Sequence, residues 1–252
     1  MSEIDPPPYT ESPAPRMGDH CTSNSRLDPS IQPTGEIIRL GGNECYISKP
    51  VDLNMARILI FLCNGAGIHS PMNQAHADKF ASEGFLVFMP DLTPAFSKEE
   101  IGKLPLIERP KMATFMIELW LARHTEEKTM PIIEKVVKAL KEVYPENTAN
   151  GVYTIGYCFG GKYVLKLAAT GDIKAGALAH GTLVTLKDIK EVRQPVSFAC
   201  VEGDPFFPDE VRDNGRRYLE DMKVPSEFKL YRGVPHGEFK VSSYVRQFRT
   251  HI

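Results

Sequence analysis

The stretch GVYTIGYCFGGKYVLKLAAT, Gly151 to Thr170, decides how the chain is read. Gly151 to Gly156 is a short apolar run bounded by glycines, which predicts a buried strand. Phe159 to Thr170 carries apolar residues at helical spacing, which predicts a helix. Between them lies Gly156-Tyr157-Cys158-Phe159-Gly160, a G-x-C-x-G turn from strand to helix. This is the nucleophile elbow G-x-S-x-G with cysteine in place of serine. Side chains two positions either side of the nucleophile would collide in so sharp a turn, which accounts for the glycines. The turn also sets the sulfur at a helix N-terminus, where N–H groups and the helix dipole favour a thiolate. The N–H of Phe159 would point to where an oxyanion forms.

Outward from the elbow, strands and helices alternate. Glu36 to Leu40 and Glu44 to Ile47 form a hairpin around Gly41-Gly42-Asn43. Arg57 to Cys63 and Phe85 to Met89 are buried strands, and Pro71 to Glu83 between them is a helix stopped by Gly84. A proline-punctuated loop from Asp91 to Pro110 is expected at the surface or as a lid. Lys111 to His124 and Glu126 to Tyr144 read as helices, the second with Glu126 and Glu127 at its positive end. Ile173 to Ala179, Val196 to Val201 and Glu227 to Tyr231 complete the strands. Pro208 to Met222 and the last dozen residues read as helices. The alternation predicts an α/β fold with a mostly parallel central sheet and helices on both faces. Residues 1–34 hold seven of the 20 prolines and few large apolar residues, and are read as a flexible leader before a single domain, 35–252.

Composition narrows the partners. The 30 Lys and Arg against 32 Asp and Glu give a net charge of −2. No basic field is present to hold nucleic acid or an anionic membrane. The longest apolar run, Ile58 to Cys63, falls far short of the roughly 20 residues of a membrane span. Five cysteines, an odd number spread along the chain, argue against a disulfide framework. With no secretory signal pattern, a reduced cytoplasmic protein is expected, as a monomer or homodimer. No two histidines or cysteines stand at ligand spacing on one expected element, so neither metal nor organic cofactor is expected.

A thiol nucleophile needs a base, and the base an orienting group. Ligands bind at the carboxyl ends of parallel strands. The strand ending at Val201 runs into Glu202-Gly203-Asp204-Pro205, and the last strand into Gly233-Val234-Pro235-His236-Gly237. The order Cys158, Asp204, His236 is the nucleophile–acid–histidine order of an α/β-hydrolase. Each element alone is weak, because an aspartate after a strand is usually a turn residue. Three suitable types after three strand ends, in order, favour catalysis. Asn64-Gly65-Ala66-Gly67 follows another strand and would supply the second oxyanion N–H, from Gly65 or else Ala66. Cys45, Cys63 and Cys200 fall in strands and read as inert core residues. Gly156 to Lys162 also fits the phosphate loop G-x-x-x-x-G-K, but Tyr163 stands where a Ser or Thr should meet Mg²⁺. That alternative leaves Asp204 and His236 without a role.

The segments Gly156 to Lys162, Glu202-Gly203-Asp204 and Gly233 to Gly237, with Glu83-Gly84-Phe85 and Met89-Pro90-Asp91-Leu92, resemble the dienelactone hydrolase family in its fungal-type branch. The resemblance runs from about Gly35 to about Phe239. It implies an α/β-hydrolase fold and a small-molecule lactone or activated ester opened through a thioester. It implies Cys158 as nucleophile, His236 as base and Asp204 as its orienter. The family prototype carries an acidic residue where Asn64 stands, which here leaves thiolate formation to His236 and the helix dipole. The prototype also has arginines for a substrate carboxylate. Here the corresponding loop reads Thr93 to Ser97, and Lys240 is the nearest cation after His236. His180, Phe96, Asn64 and Lys240 are candidate pocket residues, with Trp120, Phe206 and Phe207 as further apolar candidates. Two alternatives keep the pocket: an isomerase or cyclase of fungal small-molecule metabolism, or a catalytically silent binding protein.

Overall fold

The fold, obtained as a computed structural model, describes residues 32–92 and 124–237. The proline-rich leader up to residue 31, most of the 91–110 loop, nearly all of the 111–124 helix and the closing helix lie outside them.

The hairpin expected at the start is present as β1 (Glu36–Leu40) and β2 (Asn43–Ser48), antiparallel with Leu40 opposite Asn43. Then come β3 (Arg57–Leu62), α1 (Pro71–Ser82), β4 (Phe85–Pro90), α2 (Glu126–Val143) and α3 (Pro145–Asn150). The elbow pair is β5 (Val152–Tyr157) and α4 (Phe159–Ala168). β6 (Ala175–Ala179), α5 (Leu186–Glu191), β7 (Val196–Val201), α6 (Asp209–Asp221) and β8 (Ser226–Tyr231) complete the order. Among the described residues the eight strands form one sheet ordered β1-β2-β4-β3-β5-β6-β7-β8. β2 meets β4 antiparallel, and every pair from β4 through β8 is parallel. The carboxyl ends of β3 and β5 to β8 therefore share one edge, where the loops carrying Asn64, Cys158, His180, Asp204 and His236 emerge.

The continuous apolar run of β3 follows from cover on both faces. Ile58, Ile60 and Leu62 pack with Val136 and Leu140 of α2 and with Val164 of α4 on one side. Leu59, Phe61 and Cys63 pack with Ala77, Phe80 and Ala81 of α1 on the other. Successive strand side chains point to opposite faces, so every residue of the run is buried. Each such aliphatic or aromatic side chain gains roughly 1.5–3 kcal/mol by leaving water. Pro90, which closes β4, sits at the last sheet position, where its missing N–H interrupts no ladder beyond it.

α2, α4 and α5 are tied by a half-buried ionic cluster. Lys166 reaches Asp188 at 2.9 Å, Glu126 at 3.0 Å and Glu191 at 3.3 Å. Thr185 and Asp188 form a reciprocal capping box at the start of α5. Among the described residues no helix is long and apolar enough to cross a membrane.

α4 touches the sheet through its glycines. A Cβ on Gly160 would lie 2.0 Å from the Leu62 carbonyl oxygen, a backbone atom that cannot move aside without dislodging β3. Gly160→Ala is expected to lower stability by roughly 1–3 kcal/mol, as overpacking does. Gly171→Ala, whose Cβ would meet nothing within 4 Å, is expected to stay close to wild type. Urea denaturation of the two variants checks the contrast.

Candidate active site

Cys158 joins β5 to α4 with φ 51° and ψ −114°, a conformation that residues with a Cβ rarely adopt. Its surroundings hold it there. Cys158 N–H donates to the Ala179 carbonyl at 3.1 Å. The Cys158 carbonyl accepts from Gly161 N–H at 3.0 Å and Thr182 N–H at 2.9 Å. The turn closes so tightly that a Cβ on Gly156 would stand 2.5 Å from the Gly160 oxygen, and one on Gly161 2.8 Å from Gly181 Cα. The steric reason inferred for the glycines is thus visible atom by atom. The first N–H groups of a helix are not consumed by its own ladder, and Phe159 opens α4 beside the sulfur.

Asp204 follows β7 in a turn that its own carboxylate closes, Oδ1 accepting from Phe206 N–H at 2.9 Å. Its other oxygen lies 2.7 Å from His236 Nδ1, with both side chains almost fully buried. His236 Nε2 faces Thr182 Oγ1 at 3.3 Å, and that hydroxyl lies 3.2 Å from Cys158 Sγ. Three sequence-distant loops therefore bring Asp204, His236 and Cys158 together. The imidazole is boxed by rings, with His180 edge-on at 5.0 Å between centroids and Phe206 tilted at 4.8 Å. Burial works against a charged ring, but hydrogen bonds with Asp204 and Cys158 outweigh it and raise its pKa from 6.5 to about 9. Those partners favour an imidazolium beside the sulfur at neutral pH.

Asn64, just beyond β3, is buried, and its side-chain oxygen accepts from Ala66 N–H at 3.1 Å and Asn73 Nδ2 at 2.9 Å. Asn73 also donates to the Gly67 carbonyl at 2.8 Å, and Gly67 N–H to the Asn64 carbonyl at 3.1 Å. Asn64 thus braces the loop from within. The Ala66 and Gly67 amides both donate to Asn64, so of the two amides expected to serve the oxyanion, Ala66 is engaged within the loop.

His180 directly follows β6 as expected, buried, with its ring stacked on Tyr157 as well as set against His236. Phe206 stands beside His236, whereas Phe207 is core, packed on Phe198. Phe96, Trp120 and Lys240 lie outside the described residues. Cys45, Cys63 and Cys200 are buried, and burial pushes all three thiols up, Cys200 to about 12. Lys162 pairs with Glu126 at 3.5 Å and Asp188 at 3.6 Å. Among the described residues no group of three His, Cys, Asp or Glu is placed to hold a metal ion. Sequence reasoning passed over Thr182. Its signal was available: it lies three residues beyond the carboxyl end of β6, in the loop that starts with His180.

Comparison with known proteins agrees with this architecture. The sequence model of the dienelactone hydrolase family matches residues 44–246. The hydrolase pyvD of Aspergillus violaceofuscus is 30% identical over 203 residues, covering 81% of this chain and 78% of its own length. The hydrolase tropI of Talaromyces stipitatus is 28% identical over 213 residues, covering 81% and 79%. A dienelactone-hydrolase-type crystal structure from Klebsiella pneumoniae superposes with a TM-score of 0.65 at 15% identity, covering 86% of this chain and 95% of that one. The last similarity speaks to the fold alone.

The Asp204–His236 contact makes stability depend on pH. A histidine whose pKa is raised on folding binds its proton more tightly in the folded state. Its stabilisation is complete below its ordinary value of 6.5 and is lost as pH rises through about 9. Denaturation midpoints of wild type are expected to fall across that window. Asp204→Asn, which removes the largest contribution favouring the imidazolium, is expected to flatten the fall.

Proposed function

The chain belongs to the dienelactone hydrolase family, whose members make it a hydrolase of carboxylic esters or lactones, and we propose that it works through a thioester on Cys158. The observation that carries this reading is the 2.7 Å contact between Asp204 and His236, whose ring also supports Cys158 in a strained elbow. The Cys158 proton resides on His236, leaving a thiolate that attacks the carbonyl carbon. Negative charge then moves to the carbonyl oxygen, where the amides of Phe159 and Gly65 receive it. As the intermediate collapses, the C–O bond of the ester breaks and His236 gives its proton to the leaving alkoxide. In a lactone that alcohol stays attached to the acyl group. Water next donates a proton to His236 while its oxygen bonds to the thioester carbon. The C–S bond breaks, and thiolate, imidazolium and a carboxylic acid remain. Asp204 holds the imidazole in the tautomer with Nδ1–H and offsets its charge.

Asn64 takes no proton in this sequence, because an amide cannot serve as a base at neutral pH. The absence of arginine in Thr93 to Ser97 favours esters and lactones without a free carboxylate over dienelactone itself.

p-Nitrophenyl acetate and a panel of neutral enol-lactones test the reading by stopped flow. Wild type is expected to show turnover preceded by a burst of nitrophenol as the thioester accumulates. Cys158→Ala is expected to fall to the buffer rate, and His236→Ala to lose about 10²-fold or more. Undiminished hydrolysis by Cys158→Ala would overturn the assignment.

A further inference from the structure

Thr182 belongs to neither the expected nucleophile, base nor oxyanion loop, yet its placement is fixed from several sides. After β6 the chain turns through His180 at φ 38° and Leu183 at φ 58°, both left-handed at residues that carry a Cβ. Such conformations cost of order 1–3 kcal/mol and persist where surrounding structure enforces them. Three hydrogen bonds do so here. His180 N–H donates to Ala199 at 2.9 Å, Thr182 N–H to Cys158 at 2.9 Å, and Leu183 N–H to Phe206 at 3.1 Å. The turn is thereby clamped to the nucleophile elbow on one side and to the Asp204 loop on the other.

What this strain achieves is the position of one hydroxyl. Thr182 is 1% exposed, with Oγ1 3.2 Å from Cys158 Sγ and 3.3 Å from His236 Nε2. Threonines with a structural role usually return their hydroxyl to a nearby carbonyl. Thr148 does so on Tyr144 at 2.8 Å and Thr170 on Leu167 at 2.8 Å. Both contacts of Thr182 go instead to the atoms between which the proton must pass. Asn64, committed to its own loop, offers no carboxylate to help form the thiolate.

We propose that Thr182 is a positioning residue whose hydroxyl donates to the Cys158 thiolate, holding the sulfur for attack and favouring the thiolate–imidazolium pair. The proposal rests on the thiol mechanism above. When the thiol proton bonds to Nε2 and the S–H bond breaks, the Thr182 O–H turns from the ring nitrogen to the sulfur. Its own O–H bond stays intact, so charge and protons balance. Titratable groups near the sulfur include His236 with Asp204 behind it, His180 beside that ring with the adjacent Tyr157 stacked on it, and Cys63 just beyond β3.

The test is the pH profile of Cys158 alkylation by iodoacetamide, followed by peptide mass mapping on the full chain. Thr182→Val is expected to move the midpoint up by about one unit, a tenfold loss of thiolate below it. It is also expected to lower kcat on p-nitrophenyl acetate more than it changes KM. Thr182→Ser is expected to restore the wild-type midpoint. A Thr182→Val profile that overlays wild type, or a Thr182→Ser shift equal to that of valine, would overturn the proposal by showing a packing role. Should valine not fold, Thr182→Ala removes the same hydroxyl and is read the same way. Hydrolysis that survives Cys158→Ala fails the thiol reading itself, a result distinct from an unshifted Thr182→Val profile.

Discussion

The contact between α4 and the end of β3 is the constraint from which the site follows. Gly160 rests on the Leu62 carbonyl with no room for a single methyl group. That approach forces the chain to reverse within one residue, and Cys158 takes the left-handed conformation as a result. A residue so placed projects its side chain off the sheet edge. Its carbonyl becomes an acceptor for the neighbouring Thr182 loop. Loosening the contact would relax the elbow, move the sulfur from His236 and free the β6 turn together. Packing and chemistry share these atoms.

The electrostatics are arranged around one proton. His236 is almost fully buried, which by itself would favour a neutral ring, yet Asp204 at 2.7 Å and the sulfur hold it charged. A buried charge is tolerated only with good partners. The rings of His180 and Phe206 keep the imidazole in the plane that serves both neighbours. Asn64 contributes differently, by fixing the loop whose Gly65 amide is assigned to the oxyanion. An uncharged residue there leaves the sulfur's environment to His236, the start of α4 and Thr182.

Much of this was legible in the residues. Strand identities followed from apolar runs, since the sheet is covered on both faces and β3 has no polar alternation to obscure it. The glycines of the elbow read correctly because a collision is a property of geometry that residue type reports directly. The short helices α3 and α5 escaped notice, as six residues carry too little periodicity to register. Thr182 escaped for another reason. A threonine in a loop has many unremarkable uses, and only the clamped turn through His180 and Leu183 brings its hydroxyl between sulfur and imidazole. The ring contact between His180 and His236 likewise depends on strand order, which sequence does not print.

The central claim is that the acyl group passes through Cys158. Quenching turnover of a neutral enol-lactone with acid, followed by intact and peptide-mapped mass spectrometry, addresses it most directly. The account predicts a hydroxylamine-labile adduct with the whole mass of the lactone on the peptide containing Cys158, because ring opening releases nothing. It predicts that the adduct decays as product forms. Turnover with no adduct at any quench time, or with the acyl group on another residue, would contradict it.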